Sequence, residues 1–192
     1  MKKLRVGFDL DGVLLYNPAR IVRAPIVQFK HRFFPKKEKV FYVPKTAPER
    51  FLWHVFHLSS IFIAPGFSDI KKLRQEGLIE PYLITARYDF LKPDLKRWLQ
   101  LMKAHDIFVE VYMNENNMQP HLYKEKLVKR LNLDVFVEDN WDVVSHLNKT
   151  AKTKNLWIYN IFDRGIQYSN RFPSLKKAVE HIASISKGHE KK

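Results

Sequence analysis

Apolar residues along the chain fall into two alternating patterns. Short, mainly apolar runs stand at Leu4–Leu10, "PYLIT" (Pro81–Thr85), "IFVEVYM" (Ile107–Met113), "DVFVE" (Asp134–Glu138) and "LWIYN" (Leu156–Asn160). Runs of this length bounded by polar or turn residues predict buried strands. Between them, apolar residues recur at three- and four-residue spacing, which predicts helices. Phe67–Glu76 is one, ended by Gly77. A second starts at Pro93-Asp94, with Leu95, Trp98, Leu99 and Met102 on one face. Leu122–Leu131 and Trp141–Asn148 follow. Ser174 caps a last helix striped by Leu175, Ala178, Val179, Ile182 and Ile185. Five strands in alternation with helices predict an α/β fold, a doubly wound, Rossmann-like, five-stranded parallel sheet.

One stretch breaks the rhythm. Tyr16–Pro65 holds prolines 18, 25, 35, 44, 48 and 65 and shows no strand–helix alternation. Its clearest piece is "PERFLWHVFHLSSIFI", Pro48–Ile63, with proline at a helix start. The expected organisation is a core of residues 1–15 and 66–186, a small helical insertion at 16–65 after the first strand, and a disordered basic tail at 187–192.

Composition narrows this little, but usefully. A chain of 192 residues suits one domain with an insertion. It can bury about 70% of its unfolded surface. With no cysteine, disulfides and thiolate zinc sites are excluded. No apolar run approaches a membrane span, and "MKKLRVGFDLDG" leads into none, so a cytoplasmic protein is expected. Lys and Arg number 34 against 20 Asp and Glu, a net charge of +14. That excess fits an anionic partner such as nucleic acid, a nucleotide or another phosphate ester. It equally fits a solvated, lysine-rich surface. The charge is uneven: Tyr16–Arg50 carries nine Lys or Arg and two acids.

In doubly wound sheets ligands sit at the carboxyl ends of the strands. Asp9, Asp11 and Gly12 follow the first predicted strand, and Thr85 and Arg87 the second. Glu138, Asp139 and Asp142 follow the fourth, and Lys124 lies on the helix before it. Two carboxylates as close as Asp9 and Asp11 repel and require a positive partner. Oxygen donors without His or Cys select Mg²⁺ rather than zinc.

"FDLDGVL", "LITAR" and "KEKLVKRLNLDVFVEDNWDVV", in that order, resemble the haloacid dehalogenase (HAD) superfamily of phosphohydrolases. Within it, "ITAR", "VEDN" and "YNIFDRG" look most like the nucleotidases related to 5'(3')-deoxyribonucleotidases. The resemblance implies a Mg²⁺-dependent phosphomonoesterase working through an aspartyl phosphate. Asp9 would be the nucleophile and Asp11 the general acid and then base. Thr85 would bind a phosphoryl oxygen, and Lys124 would hold the phosphate and the nucleophile by charge. Asp9, the backbone carbonyl of Asp11, and Asp139 would hold the metal, with Glu138 and Asp142 behind them. On residue type alone Lys126 and Lys129 compete with Lys124, and Glu138 with Asp139. The family spacing favours Lys124 and Asp139. Arg87 either reaches the substrate or pairs with a carboxylate.

In the resembled family an insertion in this place forms a cap over the site. Here it carries Phe33, Phe34, Phe41, Tyr42, Trp53 and Phe56 among Arg20, Arg23, Lys30, Arg32, Lys36 and Lys37. The rings suit a nucleobase or the cap's own small core, and the cations suit a phosphate. His54 and His57 share a helical face and are expected to pack within the insertion. "NENN" (Asn114–Asn117) lines the cleft or forms a turn. The expected partner is a small phosphorylated substrate, a nucleotide first. The alternative is a nucleic-acid-binding protein or polynucleotide end phosphatase using the basic cap.

Overall fold

The computed structural model describes residues 3–16, 41, 43–58, 60, 62–160 and 163–189. Its centre is a six-stranded, wholly parallel sheet. The strands are β1 (Leu4–Phe8), β4 (Ile79–Tyr88), β5 (Glu110–Asn114), β6 (Val135–Glu138), β7 (Lys154–Ile158) and β8 (Arg171–Phe172). Their spatial order is β5-β4-β1-β6-β7-β8. The expected α/β, doubly wound parallel architecture is observed, with one strand more than expected. The addition, β8, is a two-residue strand pairing Arg171 and Phe172 with Trp157 and Ile158. Two residues carry no periodicity, so the pattern could not show it.

Alternation along the strands divides the core between the two faces of the sheet. Leu83, Val135 and Val137 join one apolar cluster, while Tyr82, Ile84 and Phe136 join the other. The first cluster is covered by α2 (Phe67–Gln75), α3 (Lys92–Leu101) and α6 (Leu175–His189) through residues such as Ile70, Leu95 and Val179. The second is covered by α4 (Pro120–Arg130) and α5 (Trp141–Thr150) through Tyr123, Leu127, Val143 and Leu147. Each such side chain stabilises the fold by about 1.5–3 kcal/mol on burial. Gly7 in β1 is where the second face closes tightest. A Cβ there would lie 2.6 Å from Leu133 Cδ1 and 2.7 Å from Phe136 Cδ2.

The chain leaves β1, goes first to β4 and β5 on one side, then crosses to β6, β7 and β8 on the other. The reversal falls beside β1, and parallel pairing brings the carboxyl ends of β1, β4 and β6 to one edge.

The insertion starts and ends on a short antiparallel ladder, β2 (Leu15–Tyr16) with β3 (Phe62–Ile63). The Ala64 N–H donates to the Leu14 carbonyl at 2.9 Å and continues it. Between them lies α1 (Ala47–Leu58). The helix expected over Pro48–Ile63 therefore stops at Leu58, and its last apolar residues turn into β3. Of the insertion's aromatic and basic residues, Phe33, Phe34, Tyr42, the Phe56 side chain, Arg20, Arg23, Lys30, Arg32, Lys36 and Lys37 lie outside the described residues. The last helix runs on through 187–189, where the expected tail begins; residues 190–192 lie outside the described set. None of the described helices is long and apolar enough to cross a membrane.

Gly66 marks the return from the insertion. It sits at the head of α2 with φ 101°, and a Cβ there would stand 2.6 Å from Lys176 Cα, in the backbone of α6. Both the left-handed backbone and the close approach require glycine. Gly66→Ala is expected to cost about 2–4 kcal/mol, read as a lower urea midpoint. A midpoint unchanged from the parent would show that the α2–α6 contact is slack.

Candidate active site

Asp9 is the first residue beyond β1, and its N–H donates to the Val137 carbonyl of β6 at 3.0 Å. The ladder thus carries on past the strand, and Asp9 is delivered beside Glu138, the last residue of β6. Both are buried. Lys124, from the first turn and a half of α4, enters between them. Its Nζ stands 3.0 Å from Asp9 Oδ1 and 2.6 Å from Glu138 Oε2. The other oxygen of Glu138 accepts from the Asn140 N–H at 3.0 Å. Glu138 is thereby engaged at both oxygens, a support for Lys124 and for the loop after β6.

Burial pushes the Asp9 carboxyl up to about 7. Lys124 opposes this, while the neighbouring charges of Glu138 and Asp11 add to it. Burial also acts against the Lys124 ammonium, but Asp9 and Glu138 outweigh it and hold Lys124 above its ordinary value.

After Asp9 the chain makes one tight turn. The Leu14 and Leu15 N–H groups both donate to the Leu10 carbonyl, and Gly12 N–H donates to the Leu15 carbonyl at 2.7 Å. Gly12 has φ 87°, which a side chain would strain. Beside this turn the Asp11 carboxylate meets Arg87. Arg87 Nε and Nη2 each lie 2.7 Å from an Asp11 oxygen, a two-pronged pairing. Ser60, from the returning arm of the insertion, donates a third bond to Asp11 at 3.2 Å. Burial pushes Asp11 up, but the charge and hydrogen bonds of Arg87 prevail, with help from His57 and Ser60. Asp11 is held well below the usual carboxylate range. Arg87 therefore takes the carboxylate-pairing role of the two that the sequence allows.

A break in pairing explains how Arg87 gets there. β4 pairs with β5 in register as far as Thr85↔Met113, then resumes at Tyr88↔Asn114. The intervening bulge re-aims Ala86 and Arg87, and the Arg87 N–H donates to Thr85 Oγ1 at 3.2 Å.

These side chains share a cavity of about 380 Å³. Asp9, Asp11, Thr85, Arg87, Lys124 and Asp139 supply polar lining, and Phe41, Trp53, His57 and Tyr88 supply aromatic lining. Asp9, Asp11, Thr85, Arg87, Lys124, Glu138 and Asp139, all named from the sequence, thus line one cavity. Asp142 does not line it; its N–H donates to Asn140 Oδ1, the cap of α5. Asn114 closes a turn through paired bonds with the Met118 backbone. His54 and His57 do not simply pack inside the insertion: His54 pairs with Asp94 of α3 at 2.7 Å, and His57 faces the cavity. Ser60, His57 and Asn140 were not singled out as site residues by sequence reasoning. Phe41 is seated by the core, its N–H and carbonyl both bonded to the Gln119 side chain.

The donor set fits a hard divalent cation. Carboxylate oxygens of Asp9, Glu138 and Asp139 all lie within 4.8 Å of one another. Among the described residues four carboxylates line the cavity (Asp9, Asp11, Glu138, Asp139), with the cations Lys124 and Arg87 beside them. Oxygen donors of this kind suit Mg²⁺.

Neither a protein-family model nor a curated protein sequence matches the chain. Solved structures do. The candidate HAD-hydrolase YfnB from Bacillus subtilis, bound to magnesium, is 12% identical with TM-score 0.62, over 95% of this chain and 100% of that one. CbbY from Rhodobacter sphaeroides in complex with phosphate is 13% identical with TM-score 0.60, over 92% and 96%. An Asp-to-Asn mutant of CbbY is known with xylulose-(1,5)bisphosphate at the same identity and TM-score, over 92% and 96%. The fold is that of the HAD hydrolases.

Without divalent cation, folded Asp9 keeps a proton from about pH 4 to about pH 7 that the unfolded carboxyl, near 3.8, releases. Its stabilising contribution is present below this window and lost as pH rises through it. The urea midpoint of metal-free protein is expected to fall across that range, and to fall less in Asp9→Asn. Equal slopes in the two proteins would remove Asp9 as the source.

Proposed function

We propose that the protein is a Mg²⁺-dependent phosphomonoesterase that forms an aspartyl phosphate on Asp9 and acts on nucleotides. The observation that carries this reading is the convergence at one strand edge. Lys124 lies 3.0 Å from Asp9, and the Asp9, Glu138 and Asp139 oxygens gather within 4.8 Å. A HAD-hydrolase fold with a carboxylate cluster in this place supports the chemistry, and the magnesium in YfnB supports the cation.

Asp9, Asp139 and the backbone carbonyl of Asp11 would hold Mg²⁺, with Glu138 behind them. The ion supplies charge neutralisation and a template for the phosphoryl oxygens. The Asp9 carboxylate attacks phosphorus, the bond from phosphorus to the ester oxygen breaks, and that oxygen takes the proton carried by Asp11. Lys124 keeps Asp9 in line and balances phosphoryl charge. Thr85 Oγ accepts from the Arg87 amide, so its own O–H is available to a phosphoryl oxygen. Water then cleaves the acyl phosphate. Asp11, left after the first step as a carboxylate that Arg87 stabilises, takes a proton from that water. Inorganic phosphate departs, Asp9 is restored as a carboxylate, and Asp11 carries the proton to the next leaving oxygen. Arg87 thus acts on the substrate through Asp11.

The aromatic lining favours a nucleotide. Phe41 and Trp53 offer faces for a planar base, with residues 16–65 acting as a cap. CbbY's xylulose bisphosphate complex favours a second reading, a sugar phosphate. A cytoplasmic location belongs to this proposal.

The test is a panel of nucleoside monophosphates, sugar phosphates and phosphate-ended oligonucleotides, alongside a chromogenic aryl phosphate. Mg²⁺-dependent turnover is expected, lost with chelator and lost in Asp9→Asn. Trp53→Ala is expected to raise KM for nucleotides about tenfold with little change for aryl phosphate. A sugar phosphate preferred over every nucleotide would replace the substrate half of the proposal. No turnover on any arm, with salt-sensitive binding to oligonucleotides, would replace the enzyme with a binder.

A further inference from the structure

The loop that presents Asp139 is two residues long, between Glu138 and the start of α5 at Trp141. The peptide joining Asp139 to Asn140 is fixed at both of its polar atoms. Its N–H donates to Glu138 Oε1 at 3.0 Å. Its carbonyl accepts from the indole N–H of Trp157 at 3.0 Å. Trp157 stands in β7, in register with Glu138 of β6. Of the four tryptophans it alone is fully buried. An indole has one donor and no acceptor, so a buried one demands a specific partner. Trp157 itself cannot swing. Trp141 packs on it at 4.7 Å between ring centres, and Tyr168 packs on Trp141 at 5.4 Å. The Tyr168 hydroxyl is tied in turn to the Asn155 carbonyl of β7 at 2.7 Å.

We propose that Trp157 is a positioning residue for the divalent-cation site. Its indole N–H sets the plane of the Asp139–Asn140 peptide, and so the direction from which the Asp139 carboxylate meets Asp9. The inference rests on the cation site proposed above. A continuous chain of bonds links the two ends: Trp157 to the Asp139 carbonyl, the Asn140 N–H to Glu138, Glu138 to Lys124, and Lys124 to Asp9. Removing the indole donor removes one of the two bonds that fix the peptide. Groups that orient a ligand from behind change metal affinity by about 10- to 100-fold.

The experiment is calorimetric titration of metal-free full-length protein with MgCl₂. The parent is compared with Trp157→Phe, Asp139→Asn and Tyr168→Phe. Trp157→Phe keeps a ring in the core and loses the donor. Tyr168→Phe removes a hydrogen bond from the same aromatic group without touching the Asp139 peptide. Expected are binding in the parent, loss in Asp139→Asn, at least about tenfold weaker binding in Trp157→Phe, and parent-like binding in Tyr168→Phe. Parent-like affinity in Trp157→Phe would overturn the positioning role and leave the cation site standing. Equal weakening in Tyr168→Phe would overturn it too, because general loosening would then explain both. No binding by the parent, or unchanged binding in Asp139→Asn, would overturn the cation site and the inference with it.

A measurement on the parent covers a Trp157→Phe chain that fails to fold. The Trp157 indole N–H resonance is expected to exchange slowly with solvent and to shift saturably with MgCl₂. It should not shift in Asp139→Asn. A resonance indifferent to MgCl₂ in a parent that binds the ion would refute the coupling.

Discussion

A single ammonium buried between two carboxylates organises this molecule. Lys124 brings a charge out of water and meets Asp9 and Glu138 at 3.0 and 2.6 Å. Remove the lysine and two acids are left buried side by side, a loss of about 3–5 kcal/mol by the measure of other broken buried pairs. Keep it, and the end of β1 is bound at one point to two elements far along the chain, the end of β6 and the body of α4. The same contact draws acids together at the edge of the sheet. A group of acids so placed is costly for stability and suits a hard cation.

The second ion pair at the edge works differently. Arg87 and Asp11 meet through a planar fork, with Arg87 almost wholly buried and Asp11 partly open to the cavity. A lysine could supply the charge but not the two parallel bonds. Asp11 and Asp9, two residues apart, are thus kept chemically distinct. Burial pushes Asp9 up, and the guanidinium holds Asp11 down. Two like groups, close in the chain, thus stand in opposite electrostatic surroundings.

Much of this was legible in the sequence because the signals were long or chemically specific. The helix faces at Leu95, Trp98 and Leu99 or at Leu175, Ala178 and Val179 repeat over several turns. Asp9, Thr85 and Asp139 lie at ends that parallel strands must bring together, and Lys124 lies on the helix that leads into one of those strands. What was not legible depends on contacts between distant segments. The end of α1 and the start of β3 share one apolar run, "HLSSIFI", too short to declare a period. The partner of Arg87 depends on a bulge after Thr85 that no turn residue announces. His57 and Ser60 reach the site only because Leu15–Tyr16 pairs with Phe62–Ile63. Trp157 reads as one more apolar strand residue until its indole is seen against the Asp139 carbonyl.

Gly66 lies where the chain comes home from its excursion, and it leans on the main chain of the final helix at Lys176. A helix far along the chain is thus the buttress for the point where the insertion rejoins the core. The arm that carries Ser60 back to Asp11 takes its footing there, so the surroundings of Asp11 depend on packing between segments that are remote in the chain.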